Sequence, residues 1–225
     1  MEKSTGYIDQ FLEQAYLSGE WTDYIKRFAY PSRSVERRAL YLFDTLKHFD
    51  VKEGRVLDLG LFTGIFSTLF YSFGFDVTGI DIKQEKVEQI QERIPEKVFV
   101  CHDLNKELPM RNEEFGVVWA GDVLEHVVST EMVFSEINRV LRRDGLLILT
   151  VPYHGLVKNI GIALFAWDKH FDPFFPHYKF FTLNTMKRTL SKYGMKVEKT
   201  RTIGRWYPVA ETLFVVAKKM ADLSQ

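Results

Sequence analysis

The chain has 225 residues, of which 46% are apolar and 27% charged, the balance of a folded globular protein of about one domain. Thirty basic residues match thirty acidic ones, so the composition gives no electrostatic support for binding nucleic acid. Cys101 is the only cysteine, which excludes an intramolecular disulfide and a multi-cysteine metal site. No apolar run reaches the ~20 residues that span a bilayer. MEKSTGYIDQ lacks the apolar core of a signal peptide, so a reducing cytoplasm is the expected compartment.

From Tyr7 to about Phe49 the pattern is helical and rich in aromatics, with a basic cluster at Arg33, Arg37 and Arg38. After Gly54 short apolar runs (RVLDL, DVTGI, KVFV, FGVVWA, GLLILTV) alternate with helical stretches. Continuous apolar runs suit strands buried on both faces, and their alternation with helices predicts a parallel sheet. Ser129 or Thr130 is expected to cap a helix burying Val133, Ile137, Val140 and Leu141, with Arg142 and Arg143 at its negative end. Thr182 to Tyr193 repeats that design, and strands follow at about Met195 to Arg201 and Glu211 to Ala217. The expected organisation is one domain: a helical cap over 1–53, a core over 54–152, an insertion over 153–181, and a helix with two strands over 182–225.

The first strand runs into VLDLGLFTGIFS, which places Asp58, Gly60 and Gly64 on a turn before a helix. Such a turn allows close backbone approach to a ligand at a positive helix end. Asp81 closes the next strand in VTGIDI, twenty-one residues after Gly60, a separation suited to accepting hydrogen bonds from two ribose hydroxyls. Taken alone, the glycines are turn punctuation and Asp81 a solvated strand end. Together they favour nucleoside binding.

These segments resemble the class I S-adenosylmethionine-dependent methyltransferases, particularly the small-molecule group that includes the ubiquinone-biosynthesis O-methyltransferases. VLDLGLFTG is similar to their first motif and GID to their second. CHDLNKELPM resembles the acidic end of their third strand, FGVVWAGDVLEHV their fourth motif, and FSEINRVLRRDGLLILTVP the helix and fifth strand after that motif. The likeness runs from about Gly54 to Pro152, and KFFTLNTMKRTLSKYGMKV extends it. It implies an α/β fold of Rossmann type, a seven-stranded, mostly parallel sheet flanked by helices. It also implies S-adenosyl-L-methionine held by Asp58, Gly60, Gly64, Asp81, Ile82, Asp103, Leu104, Gly121 and Asp122, with Asp103 meeting the adenine amino group. A dehydrogenase reading is set aside, because a later glycine of the dinucleotide fingerprint is missing and DLNKELP and LEH have no counterpart there.

One position departs from the family. Phe62 stands where the turn usually carries its middle glycine. A Cβ there costs little if φ is negative, and the expectation is a ring turned outward or packed on the N-terminal helices; the contrary reading is a weakened cofactor site and a binding-only subunit.

Methyl transfer from a sulfonium is an in-line displacement that needs alignment and exclusion of water, and a hydroxyl acceptor also needs a base. His154, directly after the fifth strand, is the first choice, with His126 and His177 as alternatives; each could equally serve a structural role. His48, His102 and His170 are read as surface or structural. Arg33, Arg37 and Arg38 either hold an anion or form a solvated face. No metal is expected. The segment from Gly155 to Phe181 is read as a cover on the acceptor side, with Leu156, Ile160, Leu164, Phe165 and Trp167 on one helical face and Phe171, Phe174 and Phe175 adding bulk. It suggests a small-molecule acceptor with an aromatic or apolar portion, methylated at oxygen or alternatively nitrogen, or contact with a membrane surface.

Overall fold

The computed structural model describes residues 33–171, 177–205 and 208–220. The helical pattern expected before Arg33, the Arg33 side chain, and Phe174 and Phe175 lie outside the described residues. Contacts group the chain into two compact units, Met1–Cys101 and His102–Gln225.

In the first unit, helix α1 (Arg33–His48) buries Ala39, Leu42, Phe43 and Leu46, a stripe with helical spacing. Three parallel strands follow in the order β3-β2-β1: β1 (Arg55–Leu59), β2 (Asp76–Asp81) and β3 (Val98–Cys101). Helices α2 (Ile65–Ser72) and α3 (Gln84–Arg93) make the crossovers that parallel pairing requires. Val56, Leu57, Leu59, Val77 and Ile80 are buried, as the continuous apolar runs demand.

The second unit pairs β4 (Phe115–Gly121) in parallel with β5 (Leu141–Pro152). A short 3-10 helix (Leu124–His126) and α4 (Thr130–Val140) connect them. Helices α5 (Leu156–Phe165), α6 (Trp167–His170) and α7 (Leu183–Lys192) come next, then β6 (Met195–Ile203) and β7 (Thr212–Lys219). Strand β7 lies antiparallel between β5 and β6. The seven strands, mostly parallel, and their flanking helices are those of the Rossmann-like α/β fold expected from the sequence.

Ser129 caps α4 as expected, its Oγ accepting from the Met132 amide at 3.2 Å. The far end differs from expectation. Helix α4 stops at Val140, and Leu141 takes extended geometry and pairs with Phe115. Arg142 and Arg143 therefore belong to β5, and Asp144 (φ 63°) makes the bend before Gly145. Sheet pairing outcompetes the helical pattern at Leu141. Thr182 caps α7 in a reciprocal box with Thr185. Helix α5 forms where the apolar periodicity predicts, yet none of its residues is buried. Leu156, Ile160, Leu164, Phe165 and, beyond it, Trp167 are all exposed.

Candidate functional site

The glycine turn leaves the end of β1 through Gly60 (φ 82°), Phe62 (φ 48°) and Gly64 (φ 69°). Gly64 begins α2 in the left-handed region, and a Cβ there would stand 2.6 Å from Ile90 Cδ1. Glycine is thus required on two counts. Phe62 occupies the same left-handed region and not the negative φ at which a Cβ is cheap, which costs roughly 1 kcal/mol or more. Its amide donates to Asp81 Oδ2 at 3.1 Å, and this bond is the physical reason the strained conformation persists. The ring points outward, 73% exposed.

Asp81 closes β2. Its Oδ1 accepts from the Lys83 amide at 2.9 Å. A carboxylate offers about four lone-pair sites, so two bonds within the chain leave room for two hydroxyls of a ligand. Ile82 beside it is largely exposed and presents apolar surface, and its carbonyl accepts from Cys101 Sγ at 3.4 Å. Asp58 is placed differently from expectation: it lies within β1, not on the turn, and is buried. Its Oδ2 accepts from Ser67 Oγ at 2.6 Å. Burial pushes its pKa up to about 7 against the pull of Ser67.

In the second unit, Asp103 Oδ1 accepts from the Asn105 amide at 2.9 Å and from Asn105 Nδ2 at 2.8 Å, and these bonds hold its pKa below the usual carboxylate range. Asn105 Oδ1 in turn accepts from the Ser129 amide, tying this loop to the start of α4. Leu104 is buried. Gly121 ends β4, where a Cβ would meet the Trp119 indole at 2.9 Å. Asp122 (φ 48°) is pinned to β5 by Thr150: its amide donates to the Thr150 carbonyl at 3.0 Å, and Thr150 Oγ1 donates to its Oδ1 at 2.8 Å. Thr150 was not singled out from the sequence, where a threonine in an apolar strand carries no signal.

Beyond β4 and β5 stand the three candidate histidines. His154 is buried, with Nδ1 3.2 Å from Asn159 Oδ1 and its ring edge-on to Phe180 at 4.8 Å. Burial lowers its pKa to about 4, so the imidazole is neutral at pH 7. His126 and His177 meet edge-to-face at 4.8 Å. Burial lowers the His177 pKa, and His126 lowers it further. The amides of Tyr178 and Lys179 both donate to the Glu125 carbonyl, at 2.9 and 3.1 Å, which binds this stretch to the 3-10 helix. Ligand atoms of Glu125, His126 and His177 all lie within 4.8 Å of one another. The sequence alone does not reveal this grouping, because β5 and three helices separate His177 from its neighbours. Arg37 is exposed and Arg38 half-buried on α1, where neither is grouped with these histidines' unit.

Residues 57–149 match the family described as "Methyltransferase domain". A phosphatidylethanolamine N-methyltransferase of Cereibacter sphaeroides is 33% identical over 130 residues, 51% of this chain and 64% of that protein. A malonyl-[acyl-carrier protein] O-methyltransferase of Legionella pneumophila is 31% identical over 135 residues, 57% of this chain and 47% of that protein. The likeness thus spans less than two thirds of either relative. Over residues 57–149 the chain is thus similar to methyltransferase domains. The fold agrees: the Burkholderia thailandensis 1,6-didemethyltoxoflavin-N1-methyltransferase, solved with S-adenosylhomocysteine, superposes with a TM-score of 0.65 at 18% identity, covering 95% of this chain and 87% of that one. The methyltransferase domain contains every residue named above for the cofactor, and His126. His154 and His177 lie beyond it. Among the described residues no helix is long and apolar enough to cross a membrane.

Proposed function

We propose that the protein is an S-adenosylmethionine-dependent methyltransferase, a single methyltransferase domain, that methylates a small molecule at oxygen in a reducing cytoplasm. The observation that carries this is the methyltransferase-domain match, which takes in the glycine turn, Asp81 and Asp103 and reaches Leu149 within β5. The cofactor supplies an electrophilic methyl on a sulfonium. The residues fit it: Asp81 retains acceptor capacity for a diol, Ile82 offers open apolar surface, and Phe62 keeps its ring outward. Asp58 holds Ser67 of α2 behind the turn, while Gly60, Gly64, Asp81 and Ile82 hold the cofactor. Asp103, Leu104, Gly121 and Asp122 are the further cofactor residues of this reading.

His154 accepts the acceptor's proton. As a neutral imidazole it is ready at any pH well above 4, although its affinity for the proton is reduced. The exposed residues of α5 favour an acceptor with an apolar or aromatic portion. Oxygen is supported by the Legionella relative and nitrogen by the Cereibacter one, so nitrogen is the second reading. The test is calorimetric titration with S-adenosylmethionine and its demethylated product, followed by a screen of phenols, sugars, amines and lipids with labelled cofactor. Label on a hydroxyl supports the reading. Label only on amines replaces oxygen by nitrogen, and binding without any transfer favours a catalytically inactive subunit.

A further inference from the structure

We propose that Glu125, His126 and His177 bind one divalent first-row transition-metal ion. Two imidazole nitrogens and a carboxylate oxygen suit zinc, cobalt, manganese or iron better than magnesium or calcium, which favour all-oxygen sites. The three ligand atoms already converge within 4.8 Å. Around an ion at about 2.1 Å such atoms stand roughly 3 to 3.5 Å apart, so the side chains must draw in by about an ångström.

The backbone makes this convergence a built arrangement. Glu125 and His126 are consecutive on the 3-10 helix, and His177 directly precedes the two residues whose amides bond the Glu125 carbonyl. His177 is therefore delivered from a distant part of the sequence by a fixed connection. The Glu125 side chain is buried, with both carboxylate oxygens closed off from solvent. A buried carboxylate attracts a cation strongly, because the low-dielectric surroundings weaken the pull less than water does. Asp122, in the bend just before the 3-10 helix, adds a further negative charge that acts on His177. Three protein ligands leave positions open, as at metal ions that act on substrates. An acceptor oxygen bound there would be acidified, which matches the weak basicity of His154. That last step rests on the oxygen-methylation reading; binding of the ion does not.

The test uses the full chain stripped with a chelator and then titrated with Zn²⁺ and Co²⁺, by calorimetry and by the visible spectrum of bound Co²⁺. One ion per chain is expected, with affinity falling roughly a hundredfold or more in His126→Ala and in His177→Ala. His48→Ala serves as the comparison and should bind as the wild type does. Absence of saturable binding, or equal affinity in His177→Ala and wild type, overturns the proposal. Glu125→Gln should lose the ion as well; if it fails to fold, the half-buried His177 carries the test. A parallel titration with S-adenosylhomocysteine on stripped protein keeps the outcomes apart: failure to bind Zn²⁺ and Co²⁺ with cofactor affinity intact defeats the metal site alone.

Discussion

The amide of Phe62 donates to the carboxylate of Asp81 at 3.1 Å. The residue that departs from the family's glycine is thereby held by the residue expected to meet the ribose, through a backbone amide that glycine at position 62 would supply equally.

Asp81→Ala should weaken binding of S-adenosylhomocysteine by about 2 to 4 kcal/mol, the worth of a charge-assisted pair of hydrogen bonds. Asp81→Asn, which keeps one acceptor oxygen, should lose less. Calorimetry on folded variants decides; an unchanged affinity for Asp81→Ala would remove this residue from the site.

Phe62→Gly removes the left-handed strain and adds chain entropy to the unfolded state. These nearly cancel, so stability should change by no more than about 1 kcal/mol. Cofactor affinity should stay within tenfold. A gain of a hundredfold, about 2.7 kcal/mol, would mean that the ring crowds the site after all.

His154 should make the fold sensitive to acid. Its pKa falls from 6.5 to about 4 on burial, so below pH 6.5 the unfolded chain takes a proton that the folded one refuses. Stability is complete above pH 6.5 and is lost as pH falls towards 4, by up to about 3 kcal/mol. Denaturant melts of His154→Gln should show a flatter profile over that range. Identical profiles would show that the ring is not held neutral.

Asp58 should act in the opposite sense. Its pKa rises from 3.8 to about 7, so the folded state holds a proton that the unfolded state releases. That contribution is present below pH 3.8 and is lost as pH rises to 7. Asp58→Asn keeps the shape without the charge, and it should exceed wild type in stability most clearly above pH 7, by a few kcal/mol at most. If wild type is the more stable of the two at pH 8, the ionised carboxylate is better solvated than its burial indicates.

The fold was legible because buried parallel strands write themselves as unbroken apolar runs and because Ser129 and Thr182 are strong helix starts. Leu141 was misread because a helical pattern continues through it, and only its pairing with Phe115 ends the helix. The positions of Gly60, Gly64 and Asp81 could be read from spacing, since chain-local geometry sets them. The backbone twist at Phe62 could not, since it depends on Asp81 across the turn. Nor could the meeting of His126 with His177, which arises from two hydrogen bonds to one carbonyl.

The antiparallel seat of β7 between β5 and β6 has a bearing on biosynthesis. Strand β5 leaves the ribosome well before Thr212, and until then one of its edges lacks a partner, as does an edge of β6. Bare apolar edges on a nascent chain invite pairing with other chains. β6 carries Lys196, Lys199 and Arg201, charges that discourage such pairing, whereas Leu146 to Val151 of β5 carry none. Slow translation after Pro152 should therefore lower the yield of native protein, and chaperones should be found on nascent chains that stop short of Lys219.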